Sequence, residues 1–341
     1  MTARRIVRWG LVAGAAGVLW RRGQTPPAEL TGKVVMITGA SGGLGLALAR
    51  DLAAEGCTLV LCARDSGALA SAADELRDQG ATVFAQACDV SDRDAVQQLV
   101  HDATEQLGSV YALVNNAGVI DVGEVGPADH GAFERMMDVV FWGVVNATLA
   151  VLPVMRSQGR GRILTVTSIG GRVSPPHLVP YASAKHAAYA FTQGMRAELA
   201  ADGIAVTTVV PGLMRTGSHR AVTVKGGDRR EFAWFALGGA SAITSTDSAK
   251  ASRKIVEALR AGRAVVTIGF DAWLATRLEG LFPGLVNNVL SVLARVLPET
   301  DSNQRREGME LESALTRSPA TAPGRRAAGD LQQHRGPVAE P

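Results

Sequence analysis

Cysteine is scarce in this chain. The 341 residues carry three, Cys57, Cys62 and Cys88, too few and too irregularly spaced for a disulfide framework or a zinc site. Cys62 and Cys88 close apolar runs that read as buried strands, as small core residues of a reducing compartment do. Histidine is equally sparse, six residues with no H-x-x-x-H pair, so no metal site is expected. Charge of one sign is also missing from the body of the chain. Residues 1–30 hold Arg4, Arg5, Arg8, Arg21 and Arg22 against Glu29, leaving 30 basic and 31 acidic residues elsewhere. Without a basic stripe, nucleic acid is not an expected partner. No repeat at solenoid spacing is visible.

The N-terminal apolar run, residues 9–20 (WGLVAGAAGVLW), falls well short of the ~20 residues a bilayer-spanning helix needs. Arg21 and Arg22 follow it directly, where a signal peptide has an uncharged cleavage region. Tryptophans at both ends and arginines outside them suit a helix lying in a membrane interface. An extension that is flexible, or packed on the domain or on another subunit, is the other reading. Residues 1–30 are therefore set apart as an extension. A cytoplasmic protein is expected, with peripheral membrane contact through residues 4–22 as one reading.

What the chain has is alternation. Between residues 31 and 269, short apolar runs at 33–38, 58–63, 82–87, 112–115, 162–167, 205–210 and 264–268 are separated by helical stretches. Most runs are rich in valine and isoleucine without polar alternation, as strands of a parallel sheet buried on both faces are. The helical stretches cover 44–55, 66–79, 93–106 and 181–201. The pattern predicts an α/β fold, a Rossmann-type doubly wound parallel sheet of about seven strands with helices on both faces. Residues 270–298 form an apolar helical extension broken at Pro283, expected to pack as core or lid, with a partner subunit or a membrane as other destinations. Beyond residue 299 the composition turns to Arg, Ser, Pro, Gly and Gln, and the tail is expected to be disordered.

The first strand runs into Thr38-Gly39-Ala40-Ser41-Gly42-Gly43-Leu44-Gly45. A dinucleotide pyrophosphate needs close approach to backbone here, and the following helix offers it unpaired N–H groups. T-G-x-x-x-G-x-G resembles the cofactor loop of the classical short-chain dehydrogenase/reductase family, and further segments resemble it in the same order. Asp89, followed by Val90, is similar to the family's adenine-contacting acid. Asn115-Asn116-Ala117-Gly118 is similar to its N-N-A-G, and Tyr181-Ala182-Ser183-Ala184-Lys185 to its Y-x-x-x-K, with Ser168 thirteen residues earlier. Pro211-Gly212 with Thr216 resembles its P-G-x-x-x-T. The resemblance covers about residues 32–268. It implies cofactor contacts from Thr38, Gly39, Ser41, Gly43, Leu44, Gly45, Asp89, Val90, Asn116, Ala117, Gly118, Tyr181, Lys185, Pro211, Gly212 and Thr216. It also implies a homodimer or homotetramer, and a lysine that holds the nicotinamide ribose.

The chemistry can be read from the residues themselves. Tyr181 and Lys185 are four apart in a helical stretch and share a face. A free tyrosine titrates near ~10, and a neighbouring ammonium is expected to favour its phenolate. Tyr181 would then exchange a proton with a carbonyl or alcohol oxygen while Ser168 hydrogen-bonds that oxygen. Ser168, Tyr181 and Lys185 are the candidate catalytic residues. At the end of the second strand, Ala63 stands near the place of the acid that NAD-using relatives carry, and Arg64 follows. A guanidinium suits a 2′-phosphate, so NADP(H) is expected over NAD(H).

One position departs from the family. The helix before the fifth strand has Val140 where the family has an asparagine that helps hold a proton-relay water, and Asn146 is too far along to replace it. A dinucleotide-binding sensor or scaffold with little catalysis is therefore the alternative to an oxidoreductase. Residues 213–247 should form a mobile lid, and Phe232, Trp234 and Phe235 in it suit either an apolar substrate or the lid's own packing. The expected substrate is a small-molecule carbonyl or alcohol of lipophilic character, such as a steroid, retinoid or fatty derivative.

Overall fold

A computed structural model describes residues 26–126, 129–226, 229–240, 245–298, 304–313, 316–318 and 321–333. Residues 4–22, expected at a membrane interface, lie outside the described residues.

The elements in chain order are β1 (Val34–Thr38), α1 (Gly43–Ala54), β2 (Thr58–Ala63), α2 (Ser66–Asp78), β3 (Val83–Ala87), α3 (Arg93–Leu107), β4 (Ala112–Asn115) and β5 (Asp121–Val122). α4 (His130–Met136) passes through a π-helical turn, Met137–Trp142, into α5 (Gly143–Gln158). Then come β6 (Gly161–Val166), α6 (Val179–Leu199), β7 (Ile204–Pro211), β8 (Met214–Arg215), β9 (Thr223–Lys225), α7 (Arg229–Ala240), β10 (Thr246–Asp247), α8 (Ser248–Ala261) and β11 (Val265–Ile268). The chain closes with α9 (Phe270–Leu281), α10 (Pro283–Ala294), β12 (Arg305–Glu307) and α11 (Ala322–Asp330).

Seven parallel strands form the central sheet in the order β11-β7-β6-β4-β1-β2-β3. The chain reverses direction across the sheet between β1 and β4, and such a switch point opens a ligand crevice at the carboxyl ends of the strands. Each strand feeds both faces. Val35 and Ile37 of β1 pack with Leu48 and Leu52 of α1 and Ile255 and Leu259 of α8. Val34 and Met36 pack with Val96 and Leu99 of α3 and Val151 and Met155 of α5. Helix ends follow local chemistry. Asp65, Asp92 and Asp247 cap α2, α3 and α8 by accepting main-chain N–H groups, and left-handed Gly108 and Gly262 stop α3 and α8. The run His130–Gln158 is long and apolar enough to cross a membrane by composition, yet its Val140, Val144, Val151, Leu152 and Met155 are buried within the domain.

Of the C-terminal tail expected to be disordered, residues 304–313, 316–318 and 321–333 take up structure. β12 pairs antiparallel with β9, which also pairs with β5, making a second, three-stranded sheet over the lid. Arg305 pairs with Asp121 and Asp129, and Glu312 with Arg220. Leu311 is buried against the lid's Phe232, Val222 and Val224. A segment poor in apolar residues is ordered here because an edge strand and preset charges wait for it.

Helices α9 and α10 correct a second expectation. Buried Ala272 and the Arg172–Glu279 ion pair hold α9 to the domain. α10 buries none of its residues, so its apolar side covers no core and no cleft among the described residues. Leu285, Val289, Val292, Leu293 and Val296 are all exposed.

Candidate active site

The glycine-rich turn leads from β1 into α1 at the carboxyl edge of the sheet. A Cβ on Gly39 would stand 2.8 Å from the Ala117 Cα, and one on Gly45 would overlap the Gly39 carbonyl. Bare backbone is therefore what lets this loop close on the β4 loop and on its own helix. The two loops are also stitched together. Thr38 Oγ1 accepts from the Asn116 and Ala117 amides at 3.0 and 3.1 Å, and Asn116 Nδ2 donates to the Thr38 and Gly39 carbonyls. Gly42, ahead of α1, offers no side-chain cap, so the helix turns main-chain N–H groups outward, the arrangement that receives an anion. Ser41 and Leu44 lie in the same turn.

After β3, Asp89 folds back to accept from the Ser91 amide and hydroxyl. Val90 fills the space beside Gly143, where a Cβ would come within 2.6 Å of it. Arg64 is exposed directly after β2, while Asp65 is committed to its helix cap. Pro211 ends β7, the Gly212 amide donates to the Ile268 carbonyl, and Thr216 is buried with its hydroxyl on Ser218.

Ser168, Tyr181 and Lys185 meet where β6 ends and α6 begins. Ser168 Oγ accepts from the Gly170 amide at 3.0 Å. A Cβ on Gly170 would lie 3.2 Å from the Tyr181 ring, and one on Gly171 would lie 2.8 Å from the Lys185 carbonyl. Those two glycines let α6 press onto the strand end, and sequence reading missed them because only the tertiary approach reveals their use. Lys185 is buried, and its Nζ donates to the Val166 carbonyl at 2.9 Å, 5.8 Å from the Tyr181 ring centre. A Cβ on Gly118 would stand 3.6 Å from that Nζ, so the N-N-A-G loop borders the lysine.

Electrostatics here differ from the expectation in one respect. Burial raises the Tyr181 phenol, and the hydrogen bond with Ser168 pulls it back. The Lys185 ammonium is turned to the Val166 carbonyl, and burial lowers it to about 8. Val140 is fully buried in the π-helical turn and packs with Met136, Ala184 and Tyr181. Asn146 spends its amide on the Val90 and Ser91 carbonyls, so neither residue offers a polar group beside the tyrosine.

The segment expected to form a lid runs from β8 to β10. Phe232 is fully buried in the lid's own cluster, and Trp234 and Phe235 pack edge to face beside it. His177, at φ +63°, binds the wholly buried Glu231 at 2.8 Å, and Trp234 Nε1 donates to the same carboxylate oxygen. That pair joins the loop before Tyr181 to α7, and neither residue stood out in the sequence.

The short-chain dehydrogenase family pattern matches residues 33–225. The chain belongs to that family. The SadH protein of Mycobacterium tuberculosis, which bears an oxidoreductase's name, is 36% identical over 248 residues, 72% of this chain and 89% of that one. Dehydrogenase/reductase SDR family member 7B of Danio rerio is 31% identical over 299 residues, covering 84% of this chain and 94% of the relative. Among solved structures, a short-chain dehydrogenase/reductase from Burkholderia phymatum in complex with NAD superposes with a TM-score of 0.69 at 28% identity. It covers 76% of this chain and 96% of its own. This short-chain dehydrogenase is thus an oxidoreductase acting on CH–OH and C=O groups with a nicotinamide dinucleotide as cofactor. The glycine turn at the start of α1, free of side chains of its own, has the chemistry such a dinucleotide needs, with Leu331 and Gln333 lying over Gly42 and Gly43.

Proposed function

We propose that this protein is an NADP(H)-dependent oxidoreductase for lipophilic carbonyl or alcohol compounds, with Tyr181 as acid/base, Ser168 as substrate anchor and Lys185 as electrostatic partner. The observation that carries the reading is the meeting of these three side chains at one strand end beside the N-N-A-G loop. Thr38, Gly39, Ser41, Gly43, Leu44, Gly45, Asp89, Val90, Asn116, Ala117, Gly118, Pro211, Gly212 and Thr216 would line the dinucleotide, with Tyr181 and Lys185 at its nicotinamide end. The bound nicotinamide supplies or accepts the hydride. In reduction the Tyr181 phenol, kept protonated by burial, donates its proton to the substrate oxygen while the Ser168 hydroxyl hydrogen-bonds that oxygen. In oxidation the proton returns to Tyr181. A protonated Lys185 favours the phenolate in that step.

Arg64, exposed after β2 with no acid at Ala63, supports a 2′-phosphate and hence NADP(H). Of the solved relatives, one is an actinorhodin polyketide ketoreductase with NADPH, matched at 28% identity and a TM-score of 0.63 over 70% of this chain and 95% of that one. The lipophilic substrate reading rests on the exposed apolar face of α10, which would hold the domain at a membrane surface where such compounds partition. We also place the protein in the cytoplasm at a membrane surface. α10 carries no charged residue, Arg277 and Arg295 flank its apolar side, and arginines bracket residues 9–20 in the same way; anionic lipid complements both. A homodimer or homotetramer through α5 and α6 is the family expectation.

The test is NADPH and NADH oxidation over a panel of lipophilic ketones and aldehydes, beside Tyr181→Phe. Turnover preferring NADPH and reduced at least ~100-fold by the substitution is the expected result. Undiminished turnover in Tyr181→Phe would falsify the assignment. A second reading, a dinucleotide-binding sensor or scaffold, is favoured by Val140, an apolar member of the cluster that Tyr181 packs against. Dinucleotide binding without turnover on any substrate would select it.

A further inference from the structure

The groove where the dinucleotide is proposed to lie holds part of the chain itself. Leu331 caps the C-terminal end of α11, and its carbonyl accepts from the Gly43 amide at 2.8 Å. Gly43 opens α1, so this amide is one of the donors without an intrahelical partner that the helix N-terminus turns outward. The negative end of one helix dipole therefore abuts the positive end of another. The Leu331 oxygen does there what a phosphate oxygen would do. Gln333 lies over the same surface, its Nε2 about where side chains on Gly42 and Gly43 would point, 2.8 and 3.0 Å from their Cβ positions. On the opposite wall, a Cβ on Gly217 would overlap Ala328, beside the buried Thr216. Ala328 and Leu331 are 0% and 4% exposed. The segment thus bridges the loop after β1 and the loop after β7, both walls of the proposed cofactor groove.

We propose that residues 321–333 are an intrasteric plug, occupying the pyrophosphate cradle so that dinucleotide binding and docking of α11 exclude each other. The proposal rests on the reading that the dinucleotide binds at the glycine turn. The docked segment is latched but poised to leave. Arg50 Nη2 donates to the Asp330 carbonyl at 2.9 Å, and Gln332 Nε2 to Glu75 at 3.2 Å. Gln332 itself is held at φ +55°, a left-handed conformation that a residue with a side chain adopts only under strain. Leu331 is its one large buried apolar anchor, and segments so sparsely anchored open first. Release need not free the whole tail, because β12 stays paired with β9 and Leu311 stays in the lid core. The apparent affinity for dinucleotide is then set by the fraction of molecules with the plug undocked.

The test uses the full chain and two variants, Ala328→Arg, which has no room against Gly217, and Leu331→Ser, which removes the apolar anchor. Neither alters the glycine turn, Arg64 or Tyr181. NADPH and NADH binding is measured by calorimetry, and amide hydrogen exchange follows residues 321–333 with and without NADPH. Both variants are expected to bind NADPH about tenfold or more tightly than the parent chain, and NADPH is expected to speed exchange in the parent's segment. Equal affinities, with the segment still protected in the NADPH-bound parent, would overturn the plug and leave the dinucleotide reading intact. No dinucleotide bound at millimolar concentration, even where exchange shows the segment released, would overturn both.

Discussion

Arg64 is the residue on which the proposed preference for NADP(H) rests. It is exposed at the end of β2, and its neighbour Asp65 is already bound to the Ala68 amide, so no carboxylate there competes for a ribose hydroxyl. Arg64→Asp would set a negative charge against a 2′-phosphate and give a 2′-hydroxyl an acceptor. The expected outcome is a loss of NADPH affinity of about tenfold to a hundredfold, with NADH gained or unchanged, read from KM values for each. An unchanged preference would remove Arg64 from the cofactor site. Val140 works at the same scale. It is an apolar member of the cluster that Tyr181 packs against, which leaves Ser168, Tyr181 and Lys185 as the groups proposed to move the proton. That Tyr181 and Lys185 share one helix face was legible from a four-residue spacing. The direction in which Lys185 points was not, because the Val166 carbonyl it binds lies nineteen residues away.

Among the elements, the lid carries the clearest pH signature. His219 sits in a single helical turn, Ser218–Ala221, and is buried. Burial pushes it down to about 4, with Arg220 and Arg325 adding to the effect and Glu312 opposing it. Between that value and the ~6.5 of a free histidine, the unfolded chain takes up a proton that the folded chain refuses. Stability is thus undiminished above about pH 6.5, falls as pH drops toward 4, and loses nothing further from this group below that. The loss amounts to about 3 kcal/mol at most. Urea unfolding at several pH values should show this acid-side slope in the parent and a shallower one in His219→Leu; identical slopes would refute the assignment. The strands of the central sheet were readable because burial on both faces leaves continuous apolar runs. The lid was not readable in the same way, since its order comes from a few distant partners, His177 with Glu231 and Leu311 with Phe232.

At the scale of the whole molecule, α10 sets an apolar face outward while the catalytic domain keeps its own core closed. Leu285, Val289, Val292 and Val296 lie on one side of the helix and its end, a surface larger than isolated apolar residues explain. If it meets lipid, the full chain should float with vesicles containing anionic lipid, and a Leu285→Asp/Val289→Asp variant should float less while sedimenting as the parent does. A variant that floats normally but falls from dimer to monomer would hand the surface to a second copy instead.

The amino-acid sequence by itself determined the alternation of strands and helices, the glycine turn and the spacing of Ser168, Tyr181 and Lys185. Each of these is a local requirement: a strand buried on two faces, a backbone approached closely, two side chains one helical turn apart. Only the tertiary structure decided how the chain uses its C-terminal end. Gly43 and Leu331 are 288 residues apart, and no local pattern says that a carbonyl at the end of one short helix will meet the amide that opens another. The same holds for Arg305 with Asp121 and Asp129. A composition too poor to build a core alone becomes ordered when the rest of the fold supplies an edge strand, a helix dipole and buried carboxylates for it to meet.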